Sequence, residues 1–324
     1  MSVHHHYLIY DEHVCSDQPL DYPISEAADD GCAWRLYEGD LSVCDDLNSW
    51  TRIHEEFDFE GGPCLMIYED QHDPTSSLIS YAGWRALIRA HEVIYTYDRT
   101  ASPYAIPFAQ VIERVIAPWK VLSQRDHILA VHGGAVSMSG QAWIFIGESG
   151  VGKSSAALEL VHKGMTLLSD DMALVDVEHM CVLPGPWVVR MWGSSHVDGT
   201  SDGGAVVGTQ GQKRRVLVAR VHTPSVQVQK NELQAIFVLE RVHEGSPEGK
   251  FHEMRGAKGL IKVLGQCFDL SHPSPMWSRR RLTLARRMCD ELQGISVCSY
   301  GESPDGRPAH VEGLWHQITQ REGQ

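Results

Sequence analysis

Residues 147–154 have the residue types and spacing of a phosphate-binding loop. They read Gly-Glu-Ser-Gly-Val-Gly-Lys-Ser, which satisfies Gly-x-x-x-x-Gly-Lys-[Ser/Thr] at every required position. Glycines in such a loop allow a tight path with positive φ, so that consecutive backbone N–H groups close around phosphate oxygens. We expect Lys153 to reach the β- and γ-phosphates and the Ser154 hydroxyl to ligate Mg²⁺. The predicted nucleotide-binding residues are Gly147, Glu148, Ser149, Gly150, Val151, Gly152, Lys153, Ser154 and Ser155.

The residues on either side of this loop predict a strand before it and a helix after it. Residues 142–146 are a short apolar run typical of a buried parallel strand. Residues 155–163 have helical spacing, with Ala157, Leu160 and Val161 on one face and Gly164 as the stop signal. This strand–loop–helix context favours a phosphate site over the alternative, a glycine-rich turn that binds nothing.

Two adjacent carboxylates, Asp170 and Asp171, follow the mostly apolar, strand-like residues 165–168. A strand that ends in acidic residues places them at the carboxyl edge of a sheet, where open α/β folds bind ligands. One carboxylate there would hold Mg²⁺, for which we favour Asp170, while the other would take a proton from an attacking hydroxyl. The alternative is an acidic turn. His132, followed by two glycines, is on its own most simply a core or turn histidine.

A further cation would help to neutralise a transferring phosphate. Lys213, Arg214 and Arg215 precede a strand-like run and are candidates, with Arg190 as a weaker one. The glycine-rich residues 199–211 would then form a mobile substrate loop. A solvated turn is an equally good interpretation of this segment.

Composition bounds the class of protein. The chain has 324 residues, and its 28 basic and 42 acidic residues give a net charge of −14, which argues against a nucleic-acid partner. No apolar run approaches the roughly 20 residues that span a bilayer, so we expect no membrane partner. The eight cysteines are scattered without Cys-x-x-Cys pairs, and no secretory segment is apparent. We therefore expect reduced thiols and a cytoplasmic location.

The sequence divides into two predicted domains. Residues 1–120 mix short β-like pieces with acidic loops and form a divergent N-terminal domain, a candidate for substrate recognition. Residues 105–122 have helical spacing, with Pro118 marking a kink or an end, and we place the boundary there. Residues 121–324 form the catalytic domain, which opens with a predicted hairpin of residues 128–138 and 141–147.

Two further helices are predicted near the C-terminus, over residues 257–268 and 277–293. The residues expected to face the core from these helices are Leu260, Ile261, Leu264, Cys267, Phe268, Leu282, Ala285, Met288, Cys289 and Leu292.

The order His132, loop, Gly164, then Ser169-Asp170-Asp171 resembles the catalytic core of HPr kinase/phosphorylase. That family has a P-loop serine kinase fold, closer to phosphoenolpyruvate carboxykinase than to eukaryotic protein kinases. The resemblance covers roughly residues 125–176. It implies an α/β fold, with a central sheet flanked by helices, joined here to the β-rich N-terminal domain.

The resemblance also implies roles for residues. Asp171 would be the proton acceptor for the substrate serine, His132 and Lys153 active-site groups, and Ser154 a metal ligand. ATP and Mg²⁺ would be required, and the partner would be a peptide or protein with an acceptor serine. Family members form hexamers, so a homo-oligomer is also implied.

The chain departs from the bifunctional enzymes of this family at one signature. They carry Glu-x-Arg-Gly-x-Gly after the aspartate pair, whereas residues 187–193 read Trp-Val-Val-Arg-Met-Trp-Gly here, without the metal-binding glutamate. The chain is more similar to the HPr-kinase-like enzymes of lasso-peptide gene clusters, which phosphorylate the C-terminal serine of a precursor peptide. A kinase of a small metabolite or free amino acid, or a non-kinase P-loop ATPase, are the alternatives.

Overall fold

The chain folds into two compact units. A computed structural model describes residues 5–20, 32–57, 63–81, 83–97, 106, 108–186, 188–192, 204–210, 213–218, 230–242, 249–267, 275–301 and 310–322. The first unit consists of Met1–Ile128 with Asp269–Arg280, and the second of Leu129–Phe268 with Arg281–Gln324. The boundary expected near residue 120 thus falls inside the first unit. The reason is that Lys120 donates a hydrogen bond to Ala90 O, which ties the helix around it to that unit.

An eight-stranded sheet forms most of the first unit. Its strands are β1 (His5–Ile9), β2 (Glu12–Ser16), β3 (Trp34–Glu38), β4 (Trp50–Phe57), β5 (Pro63–Asp70), β6 (Ser77–Tyr81), β7 (Trp84–Ile88) and β8 (Glu92–Tyr97). The strand order is β1-β2-β3-β8-β7-β6-β5-β4. The pairs β2–β3 and β3–β8 are parallel, and the others are antiparallel. Short 3₁₀ turns lie at Ser42–Cys44 and Leu47–Ser49, between β3 and β4.

The helical segment that follows this sheet in the chain continues past Pro118. It comprises α1 (Phe108–Val111), a π-helical turn (Ile112–Ile116) and α2 (Ala117–Gln124). Pro118 lies in the first turn of α2, and the wider π turn stands directly before it. Because proline lacks an N–H and its ring crowds the preceding turn, local widening allows the helix to continue. The predicted helix is confirmed, and the helix end expected as one possibility at Pro118 is wrong, since α2 continues to Gln124.

One cysteine pair in the first unit is joined. Cys15 on β2 and Cys32 just before β3 form a disulfide, with Cα atoms 6.0 Å apart. The expectation of reduced thiols is wrong for this pair, since the parallel alignment of β2 and β3 brings together cysteines that are 17 positions apart in the chain. Five other described cysteines are buried thiols outside this disulfide, namely Cys44, Cys181, Cys267, Cys289 and Cys298.

A second large sheet lies at the centre of the second unit. Its strands are β9 (Ile128–Met138), β10 (Gln141–Ile146), β11 (Thr166–Ser169), β12 (Met172–Asp176), β13 (Cys181–Leu183), β17 (Glu232–Arg241), β18 (Lys250–Met254) and β19 (Ile295–Tyr300). The order is β10-β9-β12-β13-β17-β19-β18, with β11 also paired to β9. Because β10 pairs with β17 as well, five strands form a closed circuit of hydrogen bonding. The predicted hairpin of β9 and β10 is confirmed.

Helices cover both faces of this sheet. They are α3 (Lys153–His162), α4 (Gly256–Leu264), α5 (Pro275–Glu291, of which the part from Arg281 belongs to this unit) and α6 (His310–Glu322). Trp143 and Phe145 on β10 pack with α3 and α6, whereas Ile144 and Ile146 pack on the opposite face with α4 and α5. The alternation explains why β10 is apolar from Ala142 to Ile146, since both faces of the strand are buried there. Ala157, Leu160 and Val161 on α3 are buried, as predicted.

Two residues predicted to face the core do not. Ile261 on α4 is 67% exposed and Leu282 on α5 is 47% exposed. In each helix a neighbouring residue occupies the buried stripe instead, Val263 in α4 and Ala285 in α5. Apolar residues at helical spacing define one face of a helix, but packing against the sheet determines which part of that face is buried.

A three-stranded sheet is formed by β14 (Val188–Trp192), β15 (Gly204–Gln210) and β16 (Lys213–Val218), in the order β14-β16-β15. Part of the predicted mobile loop, residues 204–210, is therefore a strand. The rest of that loop, residues 199–203 and 211, lies outside the described residues. Within the described part of the chain, no helix is both long enough and apolar enough to span a membrane.

Candidate nucleotide-binding and active site

The glycine loop connects β10 to α3 through three residues in the left-handed region. Gly147, Gly150 and Gly152 have φ values of +145°, +83° and +91°. At Gly147 a Cβ atom would lie 2.6 Å from the carbonyl oxygen of Leu239, so both conformation and space require glycine there. Around Gly150 no atom comes within 4 Å of the Cβ position, so the loop is open on that side. The result is a concave cradle at the N-terminus of α3, where N–H groups and the helix dipole favour an anion.

The Lys153 ammonium lies over this cradle. Lys153 is only 8% exposed, and its Nζ donates to the carbonyl oxygens of Gly147 at 2.7 Å and Glu148 at 3.0 Å. Neutral carbonyls are weaker partners for an ammonium than phosphate oxygens are. The lysine is thus held where it can exchange these bonds for bonds to a phosphate.

Two stacked rings, those of Tyr300 and His310, lie next to the phosphate-binding loop. The Tyr300 hydroxyl donates to the Val151 carbonyl oxygen, and the Tyr300 ring stacks on His310 at a centroid distance of 3.9 Å. A Cβ at Gly152 would lie 3.5 Å from His310 Cε1, so the imidazole lies next to the loop at this glycine. Burial, and secondarily the positive charge of Arg241, lowers the pKa of His310 to about 4. The imidazole is therefore neutral at pH 7.

Two cations that the sequence did not reveal border the same cradle. A cavity of about 430 Å³ is lined by the loop, the end of β17 and residues of α4, including Arg241 and Lys262. Arg241 Nη2 lies 3.5 Å from Gly150 O, and Lys262 pairs with Glu240 at 2.6 Å. One sequence signal existed for Arg241: it ends an apolar strand, and strands parallel to β10 end at the same edge of the sheet.

The aspartate pair lies at this edge, as predicted. Both β10 and β11 run antiparallel to β9, so their carboxyl ends point the same way. The Cβ position of Gly134 on β9 is 3.7 Å from the carbonyl oxygens of both Asp170 and Lys153. The acid pair and the first residue of α3 are therefore neighbours across Gly134. Asp170 is only 6% exposed.

His132 and Asp171, which are 39 positions apart in the numbering, lie side by side. His132 Nδ1 is 3.7 Å from Asp171 Oδ1, and both side chains are about one-third exposed, at 37% and 33%. Two backbone bonds fix this arrangement: Gly133 N donates to Asp171 O at 3.2 Å, and His132 N donates to Gln266 O at 2.7 Å. The geometry thus places a partly exposed carboxylate, with an imidazole beside it, at the loop edge of the sheet.

The four candidate phosphate cations lie on the small sheet. Arg190 on β14 is paired in register with Arg215 on β16, and Trp192 is paired with Lys213. Arg214 is on the same strand, β16. The side chains of these four cations lie outside the described residues, so their predicted contact with phosphate stays a prediction.

The donor set beside the loop fits Mg²⁺. The Ser154 hydroxyl follows Lys153 at the start of α3, and the Asp170 carboxylate lies on the neighbouring segment. Both are hard oxygen ligands, which Mg²⁺ prefers together with phosphate oxygens and water. Ser154 and Asp170 could hold such an ion.

Comparison with protein families finds a match in the part of the chain that contains the loop and the aspartate pair. Residues 123–186 match the HPr Serine kinase C-terminal domain. This HPr-kinase-like segment contains His132, the loop and both aspartates, but not Arg241 or His310.

Curated relatives agree over partial lengths. The chain is 58% identical over 45 residues to HPr kinase/phosphorylase of Mycoplasmopsis pulmonis, covering 14% of this chain and 15% of the relative. It is 46% identical over 79 residues to that of Lachnoclostridium phytofermentans, covering 24% and 23%. It is 31% identical over 127 residues to that of Bacillus cytotoxicus, covering 39% and 36%. The chain thus spans about a third or less of the length of these relatives, and the similarity is confined to those segments.

A solved Hpr(Ser) kinase/phosphatase from Coxiella burnetii aligns with a TM-score of 0.27 at 10% identity, covering 60% of this chain and 98% of that chain. That value is too low to establish a shared fold.

Proposed function

We propose that this chain is a Mg²⁺-ATP-dependent phosphotransferase that phosphorylates a serine hydroxyl of a peptide or protein. The observation that carries the proposal is the placement of Asp171, beside His132 and one-third exposed, at the same sheet edge as a complete phosphate-binding loop. A loop alone would serve any nucleotide-binding protein. An accessible carboxylate next to it adds a group that can accept the proton of an incoming alcohol.

In the proposed reaction the loop N–H groups, Lys153 and Arg241 bind the β- and γ-phosphates of ATP. Mg²⁺, held by Ser154 and Asp170, would neutralise charge on the phosphates. The serine oxygen bonds to the γ-phosphorus as its proton passes to an Asp171 carboxylate oxygen, and the bond from the γ-phosphorus to the bridging oxygen breaks to release ADP. His132 Nδ1, 3.7 Å from Asp171 Oδ1, would help to orient that carboxylate.

The substrate we favour is a peptide that ends in serine, such as the precursor of a lasso peptide. The order of the catalytic motifs and the separate β-rich first unit support this narrower assignment. The first unit offers an eight-stranded sheet that the family match does not include. Such a unit is available for binding a substrate larger than an amino acid.

The test incubates the full chain with γ-labelled ATP and Mg²⁺ in five parallel reactions. The acceptors are a peptide ending in serine, the same peptide ending in alanine, a peptide whose serine is internal, free serine, and water alone. We expect label on the serine-ended peptide only, and none with the Lys153→Ala variant.

Each other outcome overturns part of the proposal. Equal labelling of free serine would indicate a metabolite kinase, and phosphate release without an acceptor would indicate an ATPase. Equal labelling of a peptide whose serine is internal would contradict the C-terminal assignment alone. Failure to bind ATP would refute phosphotransfer altogether.

A further inference from the structure

We propose that His6, Cys15 and Cys32, with the cysteines reduced, form a binding site for Zn²⁺ in the first unit. The three residues offer one nitrogen and two sulfur atoms that all lie within 4.8 Å of one another. Thiolate and imidazole ligands of this kind select zinc among the divalent ions common in proteins. This inference is independent of the proposed phosphotransfer, whose residues all lie in the second unit.

The distances fit tetrahedral zinc. With Zn–S of about 2.3 Å and Zn–N of about 2.0 Å, tetrahedral angles place the nitrogen roughly 3.5 Å from each sulfur. His6 Nδ1 lies 3.5 Å from Cys15 Sγ and 3.8 Å from Cys32 Sγ. Only the sulfur pair must move, because a shared zinc ion requires the two sulfurs about 3.8 Å apart. A Cα separation of 6.0 Å leaves room for this through side-chain rotation.

The sheet holds the three ligands at this spacing. His6 on β1 is directly paired with Cys15 on β2 in the antiparallel ladder, so both side chains project from the same face. The segment that carries Cys32 is bound to β2 by a hydrogen bond from Ala33 N to His13 O at 2.8 Å. The site is thus set by backbone pairing rather than by flexible loops, which reduces the ordering cost of binding.

The chemistry of the site depends on the state of the sulfurs. As a disulfide they cannot ligate zinc, and a thiol or phosphine reductant supplies the two electrons that, with two protons, give two thiols. Zinc binding then releases both thiol protons and takes the neutral imidazole. The fourth position falls to water. Cys32 lines a cavity of about 560 Å³ together with Arg35 and His91, which gives solvent and metal a path to the sulfur.

Zinc binding would cross-link neighbouring strands at one edge of the eight-stranded sheet. The ion would join β1, β2 and the start of β3, replacing the covalent link under reducing conditions. Because it binds the folded state and not an equivalent unfolded site, zinc should raise the melting temperature of the reduced protein.

The test uses the full chain after phosphine reduction and removal of metal with a chelator. Titration with Co²⁺, a spectroscopic substitute for Zn²⁺, is expected to give a thiolate-to-cobalt charge-transfer band and the d–d bands of tetrahedral coordination. One equivalent of Zn²⁺ should then remove both. The charge-transfer band distinguishes this site from any metal bound by histidines alone.

Matched variants locate the site. Cys15→Ser, Cys32→Ser and His6→Ala should each abolish or shift the cobalt spectrum. His5→Ala, on the same strand but facing the other side, and Cys44→Ser, which removes a buried free thiol, should leave it unchanged. Because a ligand variant can fail by misfolding, alkylation of the wild type provides a second measurement: zinc should slow labelling of Cys15 and Cys32.

Several outcomes would overturn the proposal. They are a pair that stays oxidised under reducing conditions, a reduced wild type without a charge-transfer band, alkylation unaffected by zinc, and loss of the band in the His5 or Cys44 control.

Discussion

The buried imidazole behind the phosphate loop predicts a measurable pH dependence of stability. His310 is 2% exposed, and neither ring nitrogen has a hydrogen-bond partner within the described residues. Its pKa is lowered from 6.5 to about 4, first by burial and then by the charge of Arg241. Replacing it by phenylalanine keeps a ring stacked on Tyr300 and removes the titrating group.

The direction of this pH dependence follows from comparing proton uptake by the folded and the unfolded protein. The unfolded chain takes up a proton on His310 near pH 6.5, whereas the folded chain takes it up only near pH 4, so the folded state loses stability as the pH falls through that window. Above pH 6.5 the contribution is constant. Linkage with these two values gives a loss of roughly 2 kcal/mol between pH 8 and pH 5, and about 3 kcal/mol when the window is fully crossed.

The assay is urea unfolding of wild type and His310→Phe at pH 8 and pH 5, followed by circular dichroism. We expect the wild type to lose roughly 2 kcal/mol more than the variant over this interval. His316→Ala, at an exposed position of the same helix, should keep the wild-type dependence. If His310→Phe and wild type lose the same amount, the imidazole is not held neutral by its surroundings and the reasoning is refuted.

Three further predictions test the loop, the Arg241 cation beside it and the first unit. Gly147→Ala should abolish ATP binding and destabilise the protein, because the new Cβ would collide with the carbonyl oxygen of Leu239. Gly150→Ala, where the Cβ position is open, should cost only about 1–2 kcal/mol of backbone strain. Calorimetry compares the ATP affinities of the two variants, and thermal melts compare their stabilities. Arg241→Met should raise the Kd for ATP about tenfold or more through loss of a charged phosphate contact, and an unchanged Kd would exclude that contact. Burial lowers the pKa of Lys120 to about 8, so between pH 8 and pH 10 the folded protein binds fewer protons at this site than the unfolded chain does. In urea unfolding, the free energy of unfolding of the wild type should therefore rise by roughly 1–2 kcal/mol relative to that of Lys120→Met over this range. Parallel pH dependences of the two proteins would contradict this.

The parts of the site that could be predicted are those encoded in short stretches. The loop, its strand and its helix occupy consecutive residues, and the glycine pattern has a local cause in positive φ. The proximity of His132 and Asp171 could be expected only through the family resemblance. Nothing in their separate sequence neighbourhoods indicates that β9 aligns them.

The parts that could not be predicted depend on contacts between distant segments. Tyr300 and His310 approach the loop from the last strand and last helix of the chain, and no local pattern distinguishes them from other buried aromatic residues. The link between Cys15 and Cys32 likewise depends on the alignment of β2 with β3. The exposure of Ile261 shows that the same holds for helices: hydrophobic periodicity predicts which face is apolar, but not how much of that face is buried.

The central claim is that Asp171 accepts the proton of an alcohol that attacks a triphosphate held in the loop. It is tested most directly by single-turnover transfer of labelled phosphate to the serine-ended peptide by wild type and Asp171→Asn, with ATP affinity measured in parallel. The account predicts that the variant binds ATP about as well as wild type and transfers almost no phosphate. A variant that transfers phosphate at the wild-type rate would contradict it.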